Sequence, residues 1–204
     1  YLGKAIEDPD RPFIVLLGGA KVSGKIDVIR NLLDRVDEIL IGGGMANTFF
    51  KAQGWEMGDS LVEEDVLPTA QELLESSGEK LILPDDVVIA DAFDNQAKRK
   101  TIDVSDIPEG WRILDIGQKT LDAYGEQVSK AATVVWNGPM GVFEFPNFAT
   151  GTFELARLIA ESEAVSIIGG GDSAAAIQKA GLTGKITHIS TGGGASLQML
   201  QGEP

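Results

Sequence analysis

Five times along this chain of 204 residues an apolar run of strand length gives way to glycines, at Leu17-Gly18-Gly19, Ile41-Gly42-Gly43-Gly44, Trp136-Asn137-Gly138, Ile168-Gly169-Gly170-Gly171 and Ser190-Thr191-Gly192-Gly193-Gly194. Successive glycines open backbone conformations closed to other residues and leave no side chain between the main-chain amides and a ligand. Where a helix follows, its partial positive end points at the same place. The fullest example is Val165-Ser166-Ile167-Ile168, which stops at three glycines and opens into Asp172-Ser173-Ala174-Ala175-Ala176. Strand, turn and helix start in that order suit phosphate. A chain with five such endings is built to bring them to one edge.

Between the glycine turns the hydrophobic pattern alternates between two periods. Runs at 13–17, 38–41, 80–83, 87–90, 113–116, 133–136, 165–168 and 186–189 have strand length. Ile26, Ile29, Leu32, Leu33 and Val36 recur at helical spacing, as do Val66, Leu67, Ala70, Leu73 and Leu74 within a helix expected at 63–77. Pro68 falls in the first turn of that helix and Gly78 just past its end, where glycine is favoured. Further helices are expected at 45–52, 120–131, 148–162, 172–179 and 195–200. The alternation implies parallel strands joined by right-handed crossovers, so the fold class is α/β: a doubly wound, mainly parallel, Rossmann-like sheet with helices on both faces. Ligands bind such sheets at the carboxyl ends of the strands, where all five glycine turns fall. Residues 91–110 are polar and lose periodicity, a long excursion of the kind that often carries function. Residues 1–12, with two prolines in Glu7-Asp8-Pro9-Asp10-Arg11-Pro12, read as a linker, and 13–204 as one domain.

Composition narrows the chemistry. With no cysteine, disulfides, thiolate metal sites and thiol catalysis are excluded. A formal charge of −14 argues against nucleic acid as a partner, since phosphate backbones are bound through net positive surfaces. No apolar run approaches the ~20 residues needed to span a bilayer, so no membrane association is expected. The start, Tyr1-Leu2-Gly3-Lys4, is not a signal peptide and lacks an initiator Met, from which a longer parent is expected.

The local motifs sort themselves by chemistry. Residues 19–25, Gly-Ala-Lys-Val-Ser-Gly-Lys, satisfy the first seven positions of a P-loop, but Ile26 stands where a Ser or Thr should hold magnesium, and the motif is rejected. What survives is two lysines four apart, Lys21 and Lys25, which can both face the ligand edge and neutralise phosphate, or can simply be solvated. Gly169-x-Gly171-x-x-Ala174 fits a relaxed dinucleotide fingerprint, yet the acid expected ~20 residues on for the ribose is missing, which counts against a nicotinamide dehydrogenase. Asp172 suits either a helix cap or a metal, and Glu144 either a ribose or solvent. His188, the single histidine, lies inside an apparent strand, and no second histidine completes a His-based metal cluster. The acids Asp85-Asp86 and those at 91 and 94 read as turn residues.

Taken together, Gly18-Gly19-Ala20-Lys21-Val22, Gly42-Gly43-Gly44-Met45-Ala46, Trp136-Asn137-Gly138-Pro139-Met140-Gly141-Val142-Phe143-Glu144, Gly169-Gly170-Gly171-Asp172-Ser173 and Ser190-Thr191-Gly192-Gly193-Gly194-Ala195-Ser196-Leu197 closely resemble phosphoglycerate kinases, in that family's order. The resemblance covers essentially the whole chain but corresponds only to the family's carboxyl-terminal, nucleotide-binding half. It implies reversible phosphoryl transfer between 1,3-bisphosphoglycerate and ADP, giving 3-phosphoglycerate and ATP, with Mg2+, in a cytoplasmic monomer. By the same resemblance Lys21 stands near the transferred phosphoryl and Lys25 at the nucleotide phosphates. Gly19, Ala20, Gly43, Gly44, Phe93, Leu114, Asn137, Pro139 and Val142 form the slot for base and sugar, and Glu144 meets the ribose hydroxyls. Asp172 is the magnesium-linked acid, with Ser173 beside it where relatives often have Thr. Gly170, Gly171 and Gly192, Gly193 and Gly194 offer amides near the moving phosphate. Gly24 stands where many relatives have Asp. The domain that holds the phosphoglycerate is expected to be separate, so this chain alone should bind nucleotide without efficient transfer. A stand-alone nucleotide-binding module is the other outcome that the sequence leaves open.

Overall fold

The computed structural model describes residues 6–190. Its frame is a six-stranded parallel sheet in the order β3-β2-β1-β7-β8-β9, formed by β1 (Phe13–Leu17), β2 (Glu38–Ile41), β3 (Leu81–Ile82), β7 (Thr133–Asn137), β8 (Val165–Gly169) and β9 (His188–Ser190). Six helices connect it: α1 (Ile26–Leu33), α2 (Gly43–Ala52), α3 (Leu67–Ser76), α4 (Gln118–Lys130), α5 (Thr150–Glu161) and α6 (Gly171–Lys179). Strand residues alternate between two cores. Phe13, Val15, Leu17, Ile39 and Ile41 face Val28 and Ile29 of α1, Phe49 of α2 and Leu73 of α3. Ile14, Leu16, Leu40, Val134 and Trp136 face Tyr124 of α4, Leu155 of α5 and Ile177 of α6. This two-sided burial is why the central strands read as continuous apolar runs.

Register aligns the carboxyl ends. Leu17 pairs with Ile41 on one side and Asn137 on the other, Asn137 with Gly169, and Gly169 with Ser190. The chain leaves β1 toward β2 and leaves β7 toward β8, so the loops after β1 and β7 diverge and open a crevice between them. That is the topological switch point, where α/β sheets bind ligands.

Two expectations need correction. The stretch 91–110 is not wholly irregular: it contains β5 (Arg99–Asp103), which pairs antiparallel with β4 (Asp86–Ala90). β4 also pairs antiparallel with β6 (Arg112–Ile116), so the runs expected at 87–90 and 113–116 build a second, three-stranded sheet outside the parallel one. β5 escaped the periodicity because it is an edge strand of mostly exposed residues, Arg-Lys-Thr-Ile-Asp. The helix expected at 63–77 starts instead with a single turn, Glu64–Val66, before α3, with Pro68 in the first turn of α3. Of the acids first read as turn residues, Asp91 accepts from the Lys98 amide and Asp94 from the Gln96 amide in their loop, whereas Asp86 proves to be a strand residue. Asp86, buried at the start of β4, receives the Lys119 and Thr120 amides and the Thr120 hydroxyl, and so secures the first turn of α4. The helix expected at 195–200 lies outside the described residues.

Candidate functional site

The glycine turns after β1, β2 and β7 interlock at the switch point by main chain alone. Gly18 N donates to Asn137 O at 2.9 Å, Gly19 N to Pro139 O at 2.9 Å, Gly43 N to Met140 O at 3.0 Å, and Met45 N to Gly19 O at 3.0 Å. No side chain fits between them: a Cβ on Gly43 would lie 2.6 Å from Gly19 N and 2.8 Å from Pro139 O. Trp136, fully buried beneath, donates its indole N–H to Gly138 O at 2.7 Å and so ties the turn to the core.

Lys25 reaches into this knot. Its Nζ donates to Gly18 O and, at 3.3 Å, to Asn137 O. Among the described residues no carboxylate pairs with it, and burial pulls the ammonium down from the ordinary lysine range to about 8. A partly buried cation whose partners are neutral carbonyls is an anion site in waiting. Lys21 differs: it is exposed, on a loop pinned from below by Glu63, whose carboxylate accepts from Ser23 N at 3.1 Å and Ser23 Oγ at 2.7 Å. Burial alone would raise the Glu63 carboxyl, but hydrogen bonds from Ser23 and Val22, with Lys21 nearby, outweigh it and hold it below its ordinary range.

Beside the knot lies a cavity of about 610 Å³. Gly19, Ala20, Gly43, Gly44 and Pro139 line it from the glycine turns, and Asp172 from the first turn of α6. Leu114 of β6 and Val142 line it too, linked by Val142 N donating to Leu114 O at 2.9 Å. Glu144 and Phe93 complete the predicted set, with Phe93 60% exposed and packed at 5.0 Å on Phe145. Ten of the predicted residues therefore share one cavity.

The other predicted residues that the structure describes sit around it. Asn137 is buried, close to Gly170, with its Nδ2 unpartnered among the described residues. Ser173 is fully buried and accepts from Gly138 N at 2.7 Å, fastening α6 to the β7 turn. Gly170 gives the turn before α6 with a φ of 93°, but its amide donates to Ser190 O at 3.1 Å, so the amides offered at that point belong to the first turn, Gly171 to Ser173. Gly192, Gly193 and Gly194 lie outside the described residues. His188 sits in β9, partly buried.

Among the lining residues that were not foreseen, four carry polar or charged side chains: Asn47, Asp59, Arg112 and Asp115. Asp115 had a visible signal, an acid inside the apolar run Ile113-Leu114-Asp115-Ile116. It is buried, accepts from Gly151 N at 3.0 Å and Ile116 N at 2.9 Å, and burial raises its carboxyl to about 7 against those bonds.

Comparison with known proteins bears on this geometry directly. The family model described as Phosphoglycerate kinase matches residues 1–203. The chain belongs to the phosphoglycerate kinase family. It is 57% identical over 208 residues to a phosphoglycerate kinase of Chloroflexus aurantiacus and 59% identical over 201 residues to one of a Roseiflexus species, covering 99% and 97% of this chain but 52% and 51% of theirs. Among solved structures, phosphoglycerate kinase from Coxiella burnetii superposes with a TM-score of 0.95 at 44% identity, covering 99% of this chain and 53% of that one. The chain thus spans about half the length of the phosphoglycerate kinases it matches. Among the described residues, no helix is long and apolar enough to cross a membrane.

Proposed function

We propose that this chain forms the nucleotide half of a phosphoglycerate kinase, catalysing, together with the half that it does not span, the reversible glycolytic transfer of a phosphoryl group from 1,3-bisphosphoglycerate to ADP. The observation that carries this is Lys25, a partly buried ammonium whose partners among the described residues are carbonyls, set at the switch point beside a cavity of nucleotide size. In the transfer a β-phosphate oxygen of ADP bonds to phosphorus while the bond from phosphorus to the acyl oxygen breaks, and its electron pair leaves on the carboxylate of 3-phosphoglycerate. No proton has to be moved, so the site needs cations, amides and positioning rather than a general base.

The residues divide that work. Lys25 takes the nucleotide phosphates, Lys21 the group in transit, and the amides of Gly171 to Ser173 face the developing charge. Gly193 and Gly194 join them by family resemblance, with Gly192 at the nucleotide. Leu114, Val142 and Phe93 flank the base, and Glu144 accepts from the ribose hydroxyls. Among the described residues no cluster of three acids or histidines could cage a metal. The lone Asp172 carboxylate fits magnesium bound chiefly through phosphate oxygens and water, and the bound ion would neutralise phosphate charge. Closure of the second half over this face would exclude water and bring the acyl phosphate to Lys21. The same reading makes the protein a cytoplasmic monomer.

Calorimetric titration with Mg-ADP tests it. Saturable binding is expected, weakened at least about tenfold by Lys25→Ala, the size of a charge-assisted hydrogen bond. Absence of saturable binding at millimolar ADP would overturn the assignment. Mixing the chain with the other half of a relative should restore ATP formation from the acyl phosphate, whereas a non-catalytic module would stay silent.

A further inference from the structure

Residues 19–25 carry most of a P-loop, and in a true P-loop the amides of that turn cradle phosphate. Here an internal carboxylate has taken the place of the ligand. Glu63, partly buried on the segment between α2 and α3, accepts from Ser23 N at 3.1 Å and from Ser23 Oγ at 2.7 Å, and the Val22 amide bonds to it as well. Donors already satisfied by a carboxylate gain little by turning to phosphate. What this part of the turn can offer a phosphoryl group is therefore the side chain of Lys21.

The same carboxylate fixes where Lys21 stands. Glu63 is fastened to α2, because its N–H donates to the hydroxyl of the fully buried Thr48 at 3.1 Å, and two residues earlier Leu61 O accepts from Asn47 Nδ2 at 3.1 Å. At the other end of the stretch Gly19 O accepts from Met45 N of the same helix at 3.0 Å. Gly19 and Ser23 are thus both tied to α2, and Lys21 is the middle residue between them. Val22, fully buried in the core, holds the main chain just after it. Lys21 itself is exposed and makes no ion pair among the described residues. Its backbone is set while its ammonium stays uncommitted. A long side chain on a fixed backbone loses less freedom in reaching one place than a side chain on a mobile loop.

We propose that Glu63 is a positioning residue for phosphoryl transfer: by holding Ser23 it clamps the turn after β1 so that Lys21 stands where the group in transit, the γ-phosphate of ATP, arrives. This rests on the nucleotide reading of the site and on Lys21 as the lysine that meets the transferred phosphoryl. Glu63 is not among the residues that line the cavity, and it acts through Lys21 alone.

Calorimetric titration of the chain with Mg-ADP and with Mg-ATP tests the proposal, because only ATP carries the γ-phosphate. The ratio of the two affinities reads Lys21. Lys21→Ala should shift that ratio against ATP by about tenfold, the size of a charge-assisted hydrogen bond. Glu63→Gln, shown folded by its urea transition, should shift it the same way by about fivefold, and the double variant no further than Lys21→Ala alone. Should Glu63→Gln not fold, Ser23→Ala takes its place: it removes the 2.7 Å bond from an exposed position and should shift the ratio by about threefold. A purely structural contact would weaken both nucleotides alike, and its effect would survive in the Lys21→Ala background. Either of those results, or an unchanged ratio in the folded variant, would overturn the proposal and leave the nucleotide site standing. An unchanged ratio in Lys21→Ala would overturn the role of that lysine and this inference with it. Failure of the wild-type chain to bind either nucleotide would overturn the site and this inference together.

Discussion

At the scale of single residues, Lys25 carries the sharpest consequence. Free, its ammonium titrates at about 8 because burial disfavours the charge. A phosphate against it favours the charge and raises that value. Between the two values the complex holds a proton that the free chain has lost, so binding takes up protons there, and ADP affinity falls as pH rises above about 8. The second ionisation of phosphate, near 6, is complete by then. Calorimetry at pH ~8.5 in two buffers of different ionisation enthalpy should show this uptake, and Lys25→Met should abolish it. The sequence placed both lysines beside the ligand edge but could not tell them apart. What separates them is a contact 112 residues from Lys25, Asn137 O, and a carboxylate 40 residues beyond Ser23, Glu63, that pins the loop of Lys21.

At the scale of elements, the turns after β1, β2 and β7 act as one object. Gly138 has a φ of 98°, and a Cβ there would lie 2.8 Å from Lys25 Nζ and collide with the Gly18 carbonyl. Gly138→Ala should therefore destabilise the fold by ~1–3 kcal/mol through backbone strain and abolish ADP binding by displacing the lysine. Urea unfolding and an ADP titration of the folded fraction would separate the two effects. The parallel elements were legible because each repeats the same phrase, an apolar run, glycines and a helix. In the second sheet the runs of β4 and β6 were legible, and with them Leu114 of the cavity wall, but not β5, which presents a solvated edge and carries no run of its own, nor the antiparallel pairing that sets the three strands apart.

For the whole molecule, the group to watch is Asp115, where β6, the Gly141 turn and the start of α5 meet. Its carboxyl is raised in the fold to about 7 from an unfolded value of 3.8. The folded state thus binds the extra proton between those values. The group's contribution to stability is full below the unfolded value and is lost as pH rises toward about 7. Asp115→Asn cannot ionise. Relative to the parent chain, its stability should improve by on the order of a few kcal/mol between pH ~4 and ~7, read from urea unfolding at a series of pH values. A flat difference would show that Asp115 does not titrate in that range.

The division of the cavity into a main-chain end and a side-chain end has a bearing on how such a protein can diverge. At the turns after β1, β2 and β7 the cavity is walled by backbone packed so closely that replacing glycine means clash, and selection there has almost nothing to vary. Along α2 and β6 the lining is made of side chains that can be exchanged one at a time. On the proposed reading, base preference can therefore drift, or be engineered, on a wall separate from the one that would handle phosphate, with the transfer chemistry inherited intact.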